Sequence, residues 1–222
     1  MKLLTVFLLL CSNLFAVENE WSLKGGLGVN FQALYGENLN NDDVFGLAAN
    51  TSVGYRFTDF ALTIASYGSI GRANNIYFKV GDELEAYANT NYWLINFLLL
   101  PKYYTNINVF KKNQLYFSLG PGIAIQTFWP TSYTVIKGNL NDSDKITYET
   151  LGIYGTIGIE ERTLFPSDHP TFLELLWGYN KSYKTNLVSV SDEKTIDVLV
   201  TDSNSSNFNN FILMLNVGIS FF

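Results

Sequence analysis

Few residues in this chain could do chemistry. It holds one histidine, His169, and one cysteine, Cys11. His169 sits in the run Phe165-Pro166-Ser167-Asp168-His169-Pro170, whose proline and polar content reads as a turn. A general base must lie within hydrogen-bond reach of the proton it takes, and the serines and threonines of the polar segments have no base nearby. No phosphate loop, zinc spacing or haem motif is present. Acidic residues gather in polar stretches (Glu37, Asp42, Asp43; Asp82, Glu83, Glu85; Asp142, Asp144; Asp192, Glu193), but match no calcium-loop spacing and read as a solvated rim. No catalytic residue, cofactor site or metal site is expected. The net charge of -6 argues against nucleic acid, whose phosphates need basic patches.

Six charges are placed differently. Lys24, Arg56, Lys102, Glu160, Arg162 and Glu174 fall within, or at the ends of, segments where apolar residues recur at every second position. A period of two is a strand with two unlike faces. The first such strand is 21–35. Trp21, Leu23, Leu27, Val29, Phe31, Ala33 and Tyr35 share one face; Ser22, Lys24, Gly26, Gly28, Asn30 and Gln32 share the other. Further strands are expected at 44–56, 60–70, 90–104, 114–129, 146–162, 171–180 and 208–222. Strand 90–104 is apolar on both faces in its middle; Asn96 and Lys102 point its even positions inward. In every case the charge lies on the small or polar face.

The connections alternate. Those at 36–43, 71–89, 130–145 and 181–207 are long and polar, and the others are shorter. Within two long connections lie strand-like pieces, Ile76 to Val80 and the pair 187–190 and 195–200, which read as hairpin extensions. They are too short to cross a membrane, which takes about 9–11 residues per strand.

Composition selects among all-β folds. Charged residues make up 15% and aromatics 16% of 222 residues, whereas about a quarter of a soluble domain is charged. No run approaches the ~20 apolar residues of a membrane helix. The N-terminus reads as a secretory signal, with Lys2, the apolar core Leu3 to Leu10 and cleavage after Ala16, leaving residues 17–222 as one domain. The rival, a lipobox at Leu8-Leu9-Leu10-Cys11, lacks the small residue before the cysteine. Cleavage after Ala16 leaves no cysteine for disulfide chemistry.

The last strand carries Phe211, Leu213, Leu215, Val217, Ile219 and Phe221 on one face and ends on aromatics. It resembles the C-terminal strand of bacterial outer-membrane β-barrels, with Phe222 one residue out of phase with the alternation. Either Phe221 or Phe222 would be the residue read by the assembly machinery. Leu100-Pro101-Lys102-Tyr103-Tyr104 followed by Leu119-Gly120-Pro121-Gly122 is similar to the outer-membrane β-barrel domain family. The whole mature chain resembles small barrels of the OmpX, OmpW and OmpA-membrane-domain type. The resemblance implies an all-β, closed, antiparallel, up-and-down transmembrane barrel of about eight strands, with long loops outside the cell and short turns in the periplasm. It also implies outer-membrane lipids, lipopolysaccharide and the assembly machinery as partners, and a monomer. Enzymes among such barrels rely on a histidine near the outer rim, and His169 falls at the opposite end.

In that architecture the six charges line the lumen toward its periplasmic half. Unpaired charges cannot sit in a narrow dry interior. A structural ion-pair network is expected, with a gate or selectivity ring as the functional alternative. A lipid-facing aromatic girdle is expected from Trp21, Tyr35, Phe45, Tyr55, Phe60, Trp93, Tyr103, Trp129, Trp177, Tyr179, Phe211 and Phe221. A soluble lipocalin-like barrel would reverse the faces, apolar inside and polar outside. The reading is a non-enzymatic structural or surface-interaction protein, or alternatively a narrow conduit for small or apolar solutes. The loop asymmetry makes a testable statement: an epitope inserted near Asn204 is accessible to antibody on intact cells, and one near Lys111 is not. Labelling at Lys111 in unbroken cells would reverse the topology.

Overall fold

The structure is a computed structural model and describes residues 20–35, 43–109, 113–161, 171–189, 194–199 and 208–221. The signal segment, Arg162, His169 and Phe222 lie outside them. The described residues form strands β1 (Glu20–Tyr35), β2 (Asp43–Phe57), β3 (Phe60–Val80), β4 (Leu84–Val109), β5 (Asn113–Lys137), β6 (Lys145–Glu161), β7 (Thr171–Ser189), β8 (Lys194–Leu199) and β9 (Asn209–Phe221), and no helix. Strands β1 to β7 each pair antiparallel with the next. β9 pairs with β7 on one side and β1 on the other, so eight strands close into a ring. Among the described residues the ninth strand, β8, pairs only with the far end of β7. Closure leaves no unpaired edge around the ring.

The end of the ring that carries the tight β2–β3 turn at Thr58 and Asp59 is termed lower; the β3–β4 turn at 81–83 is at the upper end. The β1–β9 ladder runs unbroken from Leu23 opposite Phe221 to Tyr35 opposite Asn209. With no bulge, alternation survives along the whole pair: Leu215, Val217, Ile219 and Phe221 are exposed, while Met214, Asn216 and Ser220 are buried. The same holds around the ring, including β4, where Tyr92, Leu94, Asn96, Leu98, Leu100 and Lys102 all point inward. The outer surface is therefore an apolar belt bounded by aromatics. Trp21 packs on Tyr55 and Phe60 on Tyr103 at its lower edge, and Phe31 on Phe45 and Trp93 on Trp129 at its upper edge. From Trp21 to Phe31 is about ten residues, which at ~3.3 Å each and the usual barrel tilt gives a belt about 25 Å high.

The strands outrun their expected lengths. The 71–89 connection is almost wholly strand, since β3 continues to Val80 and β4 begins at Leu84. Likewise β5 runs to Lys137, which shortens the 130–145 loop to residues 138–144, and β7 runs to Ser189. The hairpin expected from the pieces 187–190 and 195–200 is the β7–β8 pair, with Leu187 opposite Ile196. Polar composition misleads here because a ladder needs only backbone partners and one buried face. Ile76, Phe78 and Val80 on β3 and Leu84, Ala86 and Ala88 on β4 supply that face. A bulge at Ala73/Ile76, with Asn75 at φ 51°, adds one residue to β3 and switches its inward positions from odd to even.

The inner face, expected as small or polar with Tyr116, Tyr148 and Tyr154 pointing in, carries those three rings and further large ones. Tyr67, Tyr92, Tyr116, Tyr148, Tyr154, Phe128 and Phe172 are among the most buried side chains. Inward glycines make room for them. A Cβ on Gly178 would lie 2.4 Å from the Tyr154 ring, and one on Gly158 would lie 2.3 Å from the Tyr116 ring. The arrangement predicts that Gly178→Val destabilises the ring by about 1–3 kcal/mol, the usual cost of overpacking. Thermal unfolding in detergent micelles measures it. Gly178→Val combined with Tyr154→Ala should lose less than the sum of the single changes.

Candidate functional site

The lumen is the candidate site, and it is bridged at three levels. At the lower level Lys24 of β1 ion-pairs with Glu160 of β6, across the ring, and Lys102 of β4 pairs with Glu174 of β7 at 3.3 Å. All four side chains are nearly or wholly buried. Glu174 also accepts hydrogen bonds from the hydroxyls of Tyr67 and, at 2.7 Å, Tyr116. The Tyr116 ring centroid is close to both ammonium groups, 5.2 Å from Lys24 Nζ and 4.8 Å from Lys102 Nζ. Two cations and two anions leave this level neutral, and aromatic faces with phenol donors complete the shells that a buried pair requires.

Amides make the middle level. The Tyr154 hydroxyl lies between the amide oxygens of Asn96 (2.9 Å) and Asn180. Asn180 donates to Asn210 at 2.7 Å, Asn210 donates to Gln126 at 2.8 Å, and Gln126 donates to Gln32 at 3.0 Å. This relay joins β4, β6, β7, β9, β5 and β1. Asn30 donates separately to Ser69 Oγ at 2.7 Å, tying β1 to β3.

The upper level is apolar. Tyr148 stacks on Phe208 with centroids 4.2 Å apart, and Phe128 meets Phe208 and Phe78 edge-on at 5.8 and 5.3 Å. Ile76, Val80, Leu84, Leu140, Ile146 and Leu187 belong to the same buried cluster. Phe208 is fixed by two bonds to Ser182: its carbonyl accepts from Ser182 N at 2.9 Å, and its N–H donates to Ser182 Oγ at 3.1 Å. The aromatic cap thus seats the chain as it enters β9.

Of the six charges singled out in the sequence, Lys24, Lys102, Glu160 and Glu174 meet in the lower level. Arg56 is half-buried at the lower mouth and pairs with no carboxylate among the described residues. It donates to Thr58 O (2.7 Å) and Gln114 Oε1 (2.8 Å), with its guanidinium 4.0 Å from the Tyr104 ring centroid. Arg162 lies outside the described residues. Of the twelve aromatics, Tyr35 has no described side chain, and the other eleven stand on the outer face. Among these Trp177 lies flat over Gly155, where a Cβ would come within 2.3 Å of the indole. Sequence reasoning missed the aromatic cap. Its sole signal was the alternation of Ile76, Phe78 and Val80 around the Gly81 turn with Leu84, Ala86 and Ala88.

The ionic level yields a prediction. Glu174→Gln leaves Lys102 without its counter-charge in a low-dielectric space and should cost about 3–5 kcal/mol. Asp82→Asn, on an exposed turn, should change stability by less than about 0.5 kcal/mol. Unfolding temperatures in detergent compare the two, and an unchanged value for Glu174→Gln would mean a solvated carboxylate.

No family model and no curated protein matches this sequence. Solved structures do. The chain is similar to a major outer membrane protein from Thermus thermophilus, with TM-score 0.50 and 12% identity, covering 90% of this chain and 99% of that one. It is also similar to Neisserial surface protein A (TM-score 0.48, 12% identity, 92% and 100% coverage) and to the outer membrane protein OprG from Pseudomonas aeruginosa (0.46, 12%, 91% and 95%). The closed antiparallel ring of eight strands and the likeness to the Thermus protein together show the fold of a small outer-membrane β-barrel.

Proposed function

We propose that this protein is an integral outer-membrane barrel without enzymatic activity that anchors a β-structured head at the cell surface for contact with other molecules. Its barrel would be a plugged anchor. The observation that carries this reading is the set of bonds across the lumen: Lys24 to Glu160, Lys102 to Glu174, Gln32 to Gln126 and Asn30 to Ser69 join strands that are not neighbours in the ring. A ring of eight is narrow enough for side chains to fill. The exposed apolar belt of about 25 Å matches the lipid-facing band of such barrels. Above it, β3 and β4 continue from Ile70 to Val80 and back, roughly 30 Å along each strand.

One observation favours the conduit reading. The β4–β5 ladder is interrupted between Leu98/Gly122 and Lys102/Ser118, where Pro101 and Pro121 supply no N–H. An apolar depression of about 390 Å³ opens on the outer wall there, lined by Ile64, Phe97, Leu99, Pro121, Ile123 and Leu151. A ladder weakened there would let β4 and β5 part and pass apolar solutes sideways without an open axial pore.

Fractionation and electrophysiology test both readings. The mature protein should stay with membranes through carbonate and high-salt washing, and should migrate differently in gels before and after boiling. In planar bilayers it should give no stable conductance. Release by carbonate would sink the membrane reading, and large steady conductance would replace the anchor by a channel.

A further inference from the structure

The outer wall over β2 to β5 carries a trough that crosses the upper edge of the apolar belt. Its lower part is a depression of about 520 Å³, with Phe45 and Leu47 of β2 and Ile70 of β3 on its apolar sides. Above it lies one of about 290 Å³ among Arg72, Asn74, Asn89, Asn91 and Thr131. A third, of about 180 Å³, is lined by Asn75, Asn89, Ser132 and Tyr133, among others. Arg72 and Asn91 border both the first and the second, and Asn89 borders both the second and the third. The three therefore run together along the wall.

The chemistry is ordered along that line. Arg72 stands opposite Phe45 on one side and Asn91 on the other, and Asn91 stands opposite Trp129. Its guanidinium is thus level with the upper aromatic edge, where lipid headgroups lie. Arg72 is exposed and makes no ion pair among the described residues. Among the described residues no carboxylate lines any of the three depressions. The upper part is held in shape: Asn75 N donates to Asn89 Oδ1 at 2.7 Å, Asn89 Nδ2 donates to Ser132 Oγ at 3.0 Å, and Thr131 Oγ1 donates to Asn89 O at 3.0 Å. An apolar floor, then a cation without an ion pair among the described residues, then neutral amides and hydroxyls is the complement of an acyl chain, a phosphate and sugar hydroxyls in that order.

We propose that this trough binds a phosphorylated glycolipid of the outer leaflet, its acyl chain against Phe45, Leu47 and Ile70, its phosphate on Arg72 and its sugar on the Asn74–Asn91 face. The inference rests on the membrane reading above and adds a specific ligand class to it.

Binding of diphosphorylated lipid A to the purified full barrel in detergent micelles, followed by native mass spectrometry and by the fluorescence of nearby Trp93, tests it. Wild type should bind saturably. Arg72→Gln should weaken binding about tenfold, the loss of roughly one charge-assisted hydrogen bond. Dephosphorylated lipid A should bind wild type about tenfold more weakly, and Lys137→Gln, a surface cation outside the trough, should bind normally. Asn91→Asp, which sets a carboxylate beside the guanidinium, should also weaken binding and provides a second variant should Arg72→Gln fail to show the heat-dependent gel shift of the folded barrel. Normal binding by folded Arg72→Gln or Asn91→Asp overturns the proposal. Complete displacement by inorganic phosphate overturns it in favour of a bare anion site, and equal binding of phosphatidylglycerol overturns it as a glycolipid site. A chain that washes off membranes loses the membrane reading itself, whereas an embedded chain whose variants bind normally loses this inference alone.

Discussion

Everything in this molecule depends on the closure of the backbone ladder where β9 joins β1 to β7. A strand that ends a sheet leaves a row of N–H and C=O groups unpaired, at a cost of several kcal/mol each in an apolar surrounding. β9 removes both edges at once, with thirteen residues in register against β1 from Leu23/Phe221 to Tyr35/Asn209. Because the backbone is satisfied within the ring, the outer side chains are free to be predominantly apolar, with Thr51 and Ser66 as exceptions. Trp21, Leu27, Leu47, Ile64 and Leu119 can all stand exposed. A soluble sheet could not carry such a surface without aggregating.

Closure also creates the interior problem that the rest of the sequence solves. Inward side chains from eight strands converge on one axis, so volume must be matched across it. The match is made by pairing absence with excess: Gly178 faces Tyr154 and Gly158 faces Tyr116. Charge is matched the same way, two ammonium groups to two carboxylates, with Tyr67, Tyr104 and Tyr116 donating to the carboxylates. A buried pair adds little net stability, but either half alone is costly. The ionic level therefore contributes specificity: it penalises any register that would separate Lys24 from Glu160 or Lys102 from Glu174.

How legible the fold was from the residues varies with height. Within the belt, every residue must answer to one of two unlike environments, and alternation follows. Strand boundaries, inward phase and the positions of Lys24, Lys102, Glu160 and Glu174 could all be read there. Above the belt both environments are aqueous or protein-lined, and the constraint relaxes. Thr131, Ser132 and Thr134 are exposed on a strand that reads as loop. The bulge at Ala73/Ile76 shifts the phase of β3, and a second irregularity at Asn89/Thr90 shifts β5 against β4. A reader who assumes constant parity loses Phe78 at the first of these points. Arg56 was legible as inward yet not as a cation held by an amide and a backbone carbonyl, since its partner Gln114 carries no charge to flag it.

The three levels also differ in what it would take to open them. The aromatic cap is held by dispersion and by the two reciprocal bonds between Ser182 and Phe208, so it could separate by movement of one chain segment. The amide relay is different. Asn180, Asn210, Gln126 and Gln32 are each bonded to the next, and displacing one leaves donors and acceptors on two neighbours without partners. The ionic level is more costly again, because a separated pair leaves full charges behind. Resistance to opening thus rises from the upper mouth to the lower. A solute admitted under the cap would meet amides bonded to one another across the lumen and, beneath them, a layer in which Lys24 and Lys102 are each matched by a carboxylate, with Arg56 below it at the lower mouth. Side chains therefore cross the interior at three heights, and the proposed surface contact would fall to the outer wall and to the extended strands above the belt.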